Sequence, residues 1–196
     1  VVACNTATSV AIKELRANLS VPIIGMEPAV KRAHDLSHDD ALKTLVIATP
    51  VTVNGAKLKE LIANLHAKDK TELLALLRLV NFAENGEFDT KNVKSYLKEE
   101  LAKFDLSKFG FLVLGCTHFN YFKDSLREIL PSNISIIDGN EGTINRLISE
   151  LGLQISNANL TSNVKFFYSG AEVYEQSKLD KISRNLTHLE KMRAIC

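Results

Sequence analysis

Residues 111–119 read FLVLGCTHF, and this stretch decides the fold class of the chain. Four apolar residues run into a glycine, and a helical pattern begins at Tyr121. An apolar run that ends at glycine is typical of a buried strand in a parallel sheet. Open α/β sheets bind ligands at the carboxyl ends of such strands. The stretch therefore presents the thiol of Cys116, the hydroxyl of Thr117 and the imidazole of His118 to a small molecule.

A second stretch of the same design opens the chain. Residues 1–9 read VVACNTATS, an apolar run followed by Cys4, polar residues and a helical pattern. A single strand-end cysteine is most often a small buried apolar residue. Two such turns, each with a threonine within two residues of its cysteine, instead suggest thiols on opposite sides of one ligand. We expect the helix N-termini that follow, and the imidazole beside Cys116, to lower the thiol pKa values and favour thiolates.

The rest of the chain alternates strand patterns with helix patterns. Apolar runs predict strands at 1–4, 21–25, 44–48, 111–114, 134–137 and 164–168. Helical spacing predicts helices at 6–19, 27–36, 55–66, 69–82, 89–104, 121–130, 143–151 and 174–182. Residues 49–52 are expected to form a polar loop, and residues 183–196 a poorly patterned tail. This alternation predicts an α/β fold with a mostly parallel sheet and helices on both faces.

Composition narrows the class of protein. The chain has 196 residues, of which 45% are hydrophobic and 24% charged, and its net charge is +1. This balance gives no drive toward nucleic acid or a membrane surface, and we expect neither as a partner. The odd number of cysteines, Cys4, Cys116 and Cys196, argues against a disulfide framework and favours reduced thiols in the cytoplasm. Because Val1 already lies inside a strand pattern, we also expect further strands upstream of it.

Two thiols on opposite sides of a substrate carbon suit one type of reaction. One thiolate removes a proton from one face while the other thiol protonates the opposite face, which is racemisation or epimerisation without a cofactor. A metal site would need more clustered ligands. A cysteine–histidine protease would leave the second cysteine turn without a role.

Other polar residues leave alternatives open. His118 either tunes Cys116 or is a helix-start imidazole bonded to backbone. Glu27 and Glu84 could both be solvated carboxylates, and Asp138 suits an ordinary acidic turn before a helix. The remaining histidines lie in charged or helical surroundings and are expected at the surface: His34, His38, His66 and His188.

The two cysteine stretches together resemble those of the cofactor-independent bacterial glutamate racemases. Residues 1–7, VVACNTA, look like the first cysteine motif of that family, and residues 114–119, LGCTHF, look like the second. Weaker similarity extends over most of the chain. The resemblance implies two similar, mostly parallel-sheet α/β domains with the active site in the cleft between them. The first domain would comprise residues 1–27 plus 138–196, without its upstream strands, and the second domain residues 28–137.

The resemblance also implies roles for individual residues. Cys4 would take the proton from D-glutamate and Cys116 from L-glutamate, with His118 assisting Cys116. The substrate would be bound by Asn5, Thr6, Thr117 and His118. No cofactor or metal would be needed, and the product D-glutamate would serve peptidoglycan synthesis in the cytoplasm, and so the cell wall and cell shape. A homodimer is left open.

One residue separates glutamate from its nearest alternative. In the related aspartate racemases the residue after the second Cys-Thr is usually acidic, so His118 favours glutamate. The family's N-terminal Asp-Ser-Gly turn has no counterpart in residues 1–196, and Asn120 stands where proline is usual. The alternatives are a racemase of aspartate or another small dicarboxylate, and a non-catalytic chain that binds a ligand.

Overall fold

A parallel β-sheet forms the centre of the fold in the computed structural model, which describes residues 1–37, 39, 41–154 and 163–196. Its strands lie in the order β2-β1-β3-β4 and all pair in parallel. They are β1 (Lys43–Ala48), β2 (Thr71–Ala75), β3 (Phe109–Gly115) and β4 (Ser135–Asp138). The α/β class predicted from the sequence is therefore confirmed.

Helices cover both faces of this sheet. They are α1 (Asn5–Asn18), α2 (Val30–Leu36), α3 (Pro50–Asn54), α4 (Ala56–Asn64), α5 (Leu77–Asn85), α6 (Lys91–Leu101), α7 (Lys123–Ile129), α8 (Asn140–Leu151) and α9 (Gln176–Met192). Short 3₁₀ segments occupy Lys68–Lys70, Leu106–Lys108 and Thr117–Phe122. The last of these carries the turn that follows β3.

The central strand β3 has no polar side chain because each of its faces is covered. Along β3, Leu112 and Leu114 pack with α5, α6 and α7, whereas Val113 packs on the opposite face with α2 and α4. Side chains of a strand alternate between faces, so a strand that is buried on both sides needs no polar position. This is the physical reason why residues 111–114 could be recognised as a central strand.

The prediction of one helix over residues 69–82 is wrong. The segment holds the strand β2 and the start of α5, and the chain turns between them near Leu76. Leucine is a good helix former and the run has no clear period, so propensity favoured a helix. Pairing with β1 overrides that preference, and the Leu76 N–H extends it by donating to the Ala48 carbonyl at 2.9 Å.

The polar loop predicted at residues 49–52 is also wrong, because α3 begins at Pro50. Thr49 is its N-cap, and its side chain accepts a hydrogen bond from the Thr52 N–H. A threonine cap followed by proline in the first turn is a common way to begin a helix. This short helix brings Thr49 and Thr52 to the carboxyl edge of the sheet.

The strands predicted at 1–4 and 21–25 are reduced to a single parallel bridge between Val2 and Gly25. The pairing ends there because the chain enters α1 at Asn5. The strand predicted at 164–168 is instead a small antiparallel hairpin of β5 (Phe167–Tyr168) and β6 (Ala171–Glu172).

The tail predicted at 183–196 is mostly helical, since α9 continues to Met192. Its inward positions include His188, Leu189 and Met192. The polar side chain of His188 interrupts the apolar spacing, which hid the helix from periodicity alone.

Among residues 1–37, 39, 41–154 and 163–196, we find no helix with the length and apolarity that crossing a membrane requires.

Candidate active site

The two cysteine turns approach each other although 112 positions separate them in the chain (116 − 4). Cys4 is exposed at the start of α1, and Cys116 is 6% exposed at the end of β3. The Oγ1 of Thr6, two residues after Cys4, lies 2.8 Å from that of Thr49. Ala48, which precedes Thr49, pairs with Gly115, which precedes Cys116. The fold thus brings the two cysteine turns to the same edge of the sheet.

Cys4 is the N-cap of α1. Its Sγ accepts a hydrogen bond from the Ala7 N–H at 3.4 Å. The first turn of a helix has N–H groups without helical partners, and a side-chain acceptor at the N-cap satisfies one of them. The helix predicted to follow this cysteine is therefore confirmed, and its N-terminus faces the sulfur atom.

Cys116 differs from the sequence-based expectation of a thiolate. Burial raises its pKa from 9.0 to about 11, because the charged form is poorly solvated inside the protein. The backbone N–H groups of His118 and Phe119 lower this pKa, but by less than burial raises it. At neutral pH, Cys116 is therefore a neutral thiol that holds a proton to donate.

His118 connects this thiol to an acidic residue. Its Nδ1 lies 3.8 Å from the Cys116 Sγ, and its Nε2 lies 2.6 Å from the Glu84 Oε1. A carboxylate only accepts hydrogen bonds, so Nε2 carries the hydrogen and Nδ1 of the neutral ring faces the thiol as an acceptor. The alternative of an imidazole bonded to backbone is thereby displaced by two side-chain contacts.

Glu84 is the residue that sequence reasoning left undecided. It lies in the last turn of α5, and its side chain is 66% exposed. Its position depends on β2, a strand within the segment that the sequence predicts to be helical, so its approach to His118 is not predictable from the sequence. Glu27, the other undecided carboxylate, instead pairs with Lys57 at 2.7 Å.

Thr6 belongs to a cluster of three hydroxyl groups. Its Oγ1 lies 2.8 Å from the Oγ1 of Thr49 and 3.3 Å from that of Thr52. Sequence reasoning missed Thr49 and Thr52. The signal was present, because Thr49 directly follows β1, at the same sheet edge where Cys116 follows β3.

Asn5 is 3% exposed, and neither its Nδ2 nor its Oδ1 has a hydrogen-bond partner among the described residues. With Thr52 it lines a cavity of about 10 Å³, which is at the lower limit for holding one water molecule. A buried amide without partners costs about 1–3 kcal/mol per group. Asn5 therefore has hydrogen-bonding capacity that a ligand or a water molecule could use.

Thr117 begins the 3₁₀ segment after Cys116 and is half-buried. Its carbonyl accepts a hydrogen bond from the Asn120 side chain at 3.2 Å. Asn120 thus stabilises this turn. The predicted substrate-binding residues Asn5, Thr6, Thr117 and His118 all belong to the two cysteine turns.

The histidines outside the site differ in whether they are exposed as the sequence predicts. His34 and His66 are exposed, as predicted. The prediction is wrong for His188, which is half-buried and lies 2.9 Å from the Tyr121 carbonyl. His38 lies outside the described residues.

A large groove lies apart from the two cysteine turns. This groove of about 990 Å³ between α2 and α8 contains none of the predicted site residues, and Arg16, Arg32 and Arg146 in it each have a partner. Within the described part of the chain, no cluster of three or more histidine, cysteine or acidic residues has the arrangement of a metal site.

Comparison with known families agrees with a functional site built around the two cysteine turns. The sequence model of the Asp/Glu/hydantoin racemase family matches residues 1–147, which include both cysteine turns. The chain belongs to the Asp/Glu/hydantoin racemase family. The family resemblance predicted from the two cysteine motifs is thereby confirmed.

Curated relatives in this racemase family are named as glutamate racemases. A glutamate racemase of Campylobacter concisus (strain 13826) is 87% identical over 196 residues, which are 100% of this chain and 75% of that protein. A glutamate racemase of Campylobacter curvus (strain 525.92) is 58% identical, again over 100% of this chain and 75% of that protein. The chain therefore spans three quarters of the length of these racemases.

Solved structures of the family share the fold. Escherichia coli glutamate racemase, determined with L-glutamate and an activator, is 26% identical with a TM-score of 0.72, covering 93% of this chain and 68% of that one. The racemase of Campylobacter jejuni has a TM-score of 0.73 at 23% identity and covers 92% of this chain and 69% of that one, a likeness of fold.

Proposed function

We propose that the protein interconverts L- and D-glutamate by proton transfer between two cysteines, Cys4 and Cys116. The observation that carries this proposal is that the turns of an exposed cysteine and a buried cysteine meet at one edge of the sheet, where Thr6 lies 2.8 Å from Thr49. The relatives named as glutamate racemases make the protein an amino-acid racemase, an isomerase, that acts on glutamate.

The protons balance in each direction. In one direction, the Cys4 thiolate removes the α-proton of glutamate and becomes a thiol. The electron pair stays on the substrate, delocalised into its carboxylate, and the Cys116 thiol then donates its proton to the opposite face of the α-carbon. The Cys116 sulfur atom is left as a thiolate. The reverse direction exchanges the two roles.

His118 and Glu84 make the second cysteine usable as a base. A buried thiol with a pKa of about 11 gives up its proton only with help. His118 Nδ1 can accept that proton at 3.8 Å, and the carboxylate of Glu84 stabilises the imidazolium that forms. General acid–base catalysis by a positioned imidazole of this kind contributes about 10²–10⁴-fold to a rate.

Hydroxyl and amide groups around the cysteines supply the contacts that a dicarboxylate needs. The Thr6, Thr49 and Thr52 hydroxyls, with Asn5 and Thr117, can donate hydrogen bonds to substrate oxygen atoms. The absence of a partner for Asn5 among the described residues supports its part in this role. These residues, together with His118, are the binding residues that we propose.

The alternatives make different predictions. Racemisation of aspartate in place of glutamate has no support in the relatives, which are named for glutamate. A non-catalytic chain would bind glutamate in calorimetry without exchanging its α-proton. Comparing turnover of L-glutamate with that of L-aspartate separates the first alternative.

The proposal is tested by proton exchange in heavy water. We expect the protein to replace the α-proton of glutamate with deuterium, as seen by loss of the NMR signal, and to racemise either enantiomer. Cys4→Ser and Cys116→Ser should abolish racemisation, since a serine hydroxyl is far too weak an acid to replace a thiol. Cys196→Ser is the matched control, because Cys196 is an exposed cysteine that we do not place in the site. Full activity in both site variants would refute the mechanism.

We propose residues 28–137 as one domain and residues 1–27 plus 138–196 as the other. The parallel sheet supports this division because its strands, from Lys43 on, all lie within residues 28–137 except for the last residue of β4, Asp138. We further propose a cytoplasmic protein that supplies D-glutamate for peptidoglycan, in keeping with its free cysteines. A homodimer is a further proposal, supported by exposed aromatic residues near the hairpin, Phe167, Tyr168 and Tyr174.

A further inference from the structure

Helix α9 touches both of the segments that support Cys116. Lys181 Nζ donates to the backbone carbonyl of Glu84 at 2.9 Å, and His188 Nε2 lies 2.9 Å from the carbonyl of Tyr121. Glu84 supplies the carboxylate that holds His118, and Tyr121 belongs to the same 3₁₀ segment as His118. One helix therefore contacts the backbone on each side of the Glu84–His118 pair.

The contact at Glu84 lies where α5 is least stable. The last four carbonyls of a helix have no partner within it. At the end of α5, the N–H groups of Gly86 and Glu87 satisfy two of these by bonding to Ala83 and Phe82. Lys181 satisfies the Glu84 carbonyl, and its positive charge is favourable at a helix C-terminus. It thereby opposes fraying of the turn that carries Glu84.

The contact at Tyr121 holds a 3₁₀ segment, whose hydrogen-bond geometry is poorer than that of an α-helix. A carbonyl can only accept, so His188 donates its Nε2–H. The His188 ring also stacks on Phe88, with centroids 4.5 Å apart, and Phe88 stacks on Tyr121 at 4.6 Å. These rings fix the 3₁₀ segment relative to α9.

The C-terminal end of α9 is itself anchored. Met192 is buried, and Ile195 packs on the core cluster that contains Leu112 and Leu114 of β3. Arg127 reaches the Cys196 carbonyl at 3.4 Å. The C-terminal end of α9 is therefore held against the core. Lys181 and His188 connect this anchored helix to the segments that carry Glu84 and His118.

We propose that Lys181 and His188 are positioning residues for the racemase reaction, which keep Glu84 and His118 aligned on the Cys116 thiol. This inference rests on the proposed two-cysteine mechanism. It goes beyond that mechanism by assigning a function to α9, from which the mechanism uses no residue.

The first test replaces Lys181 with methionine and uses Lys191→Met as the matched control, since both lysines are exposed on α9. We expect Lys181→Met to lower kcat on the order of fivefold while KM stays unchanged, because alignment of an acid–base pair is lost without loss of binding. L- and D-glutamate have equal free energies, so kcat/KM must fall by the same factor in both directions. Lys181→Arg should restore most of the rate, whereas Lys191→Met should match the unchanged protein.

The second test separates the hydrogen bond of His188 from its bulk. His188→Gln keeps a donor of similar reach, whereas His188→Leu keeps the volume without a donor. We expect His188→Leu to lower kcat about tenfold and His188→Gln to retain more than about half of the rate. Thermal unfolding of each variant shows whether it is folded at the assay temperature.

A double-mutant cycle distinguishes positioning from general loosening. In a Glu84→Gln background, Lys181→Met should change kcat by less than about twofold, because the carboxylate it positions is gone. Equal kcat in the Lys181→Met and Lys191→Met variants, or equal losses for both His188 variants, would overturn the inference. Failure of the proposed function would look different, because unchanged protein would then not racemise glutamate at all.

Discussion

At the scale of single residues, burial decides the chemistry of the second cysteine. The motif around Cys116 predicts a thiolate, since a helix start and an imidazole both lower a thiol pKa. Burial of the side chain outweighs them and raises the pKa to about 11. In the mechanism that we propose, the sulfur atom then needs the contact with His118, which is in turn held by Glu84, to act as a base.

This pKa also makes the stability of the protein depend on pH. The folded state retains the Cys116 proton up to about pH 11, whereas the unfolded chain loses it near pH 9. The free energy of unfolding therefore has the full contribution of the buried neutral thiol below pH 9. It falls by about 2–3 kcal/mol as the pH rises to 11. In urea unfolding over this pH range, we expect the free energy of unfolding of Cys116→Ser to fall by about 2–3 kcal/mol less than that of the unchanged protein. Cys196→Ser should keep the full loss, and an identical slope in all three proteins would contradict the burial argument.

At the scale of secondary structure, side-chain caps begin three of the described α-helices, α1, α3 and α6. Cys4, Thr49 and Thr90 each accept a hydrogen bond from a backbone N–H in the first turn of the helix that follows. Cys4 and Thr49 belong to the site that we propose, so capping and the proposed function share the same side chains there. Thr90 caps α6 without belonging to the site, which allows its capping role to be measured alone.

Removing the cap of α6 should therefore affect stability but not catalysis. The Thr90 Oγ1 accepts from the Val93 N–H at 3.2 Å. We expect Thr90→Ala to lower the free energy of unfolding by about 1 kcal/mol, as is typical for a lost N-cap. Thr90→Ser, which keeps the hydroxyl, should lose much less, and both variants should racemise glutamate at the normal rate. A rate loss in Thr90→Ala at a temperature where it is folded would contradict this separation.

At the scale of the whole molecule, the turn after β4 packs closely on the N-terminal part of the chain. A Cβ at Gly139 would lie 2.6 Å from the Glu27 carbonyl oxygen. That contact cannot be relieved by a side-chain rotation, because the oxygen belongs to the backbone. Next to it, Asp138 pairs at 2.9 Å with Lys123, which is 5% exposed. The acidic turn predicted from the sequence thus also joins distant segments.

Substituting this glycine should force the two segments apart. We expect Gly139→Ala to destabilise the protein by about 1–3 kcal/mol, the usual effect of overpacking. Gly142→Ala is the control, since a Cβ there meets no described atom within 4 Å and alanine favours the helix α8. Urea unfolding of both variants measures the difference. Equal stabilities would show that the turn yields without strain.

The sequence by itself determined what depends on local pattern. Buried strands such as β3 are recognisable because covering both faces of a parallel strand leaves only apolar positions. The two cysteine turns and the helix after Cys4 could also be identified, because each is encoded by a short contiguous stretch of residues. The two cysteine motifs in turn identified the racemase family. The tertiary structure decided what depends on distant contacts. It made residues 71–75 a strand by pairing them with β1, brought Glu84 to His118, joined Thr49 and Thr52 to Thr6, and gave Cys116 its high pKa. Pairing, proximity and burial arise only when segments far apart in the chain are packed together, and no local pattern encodes them.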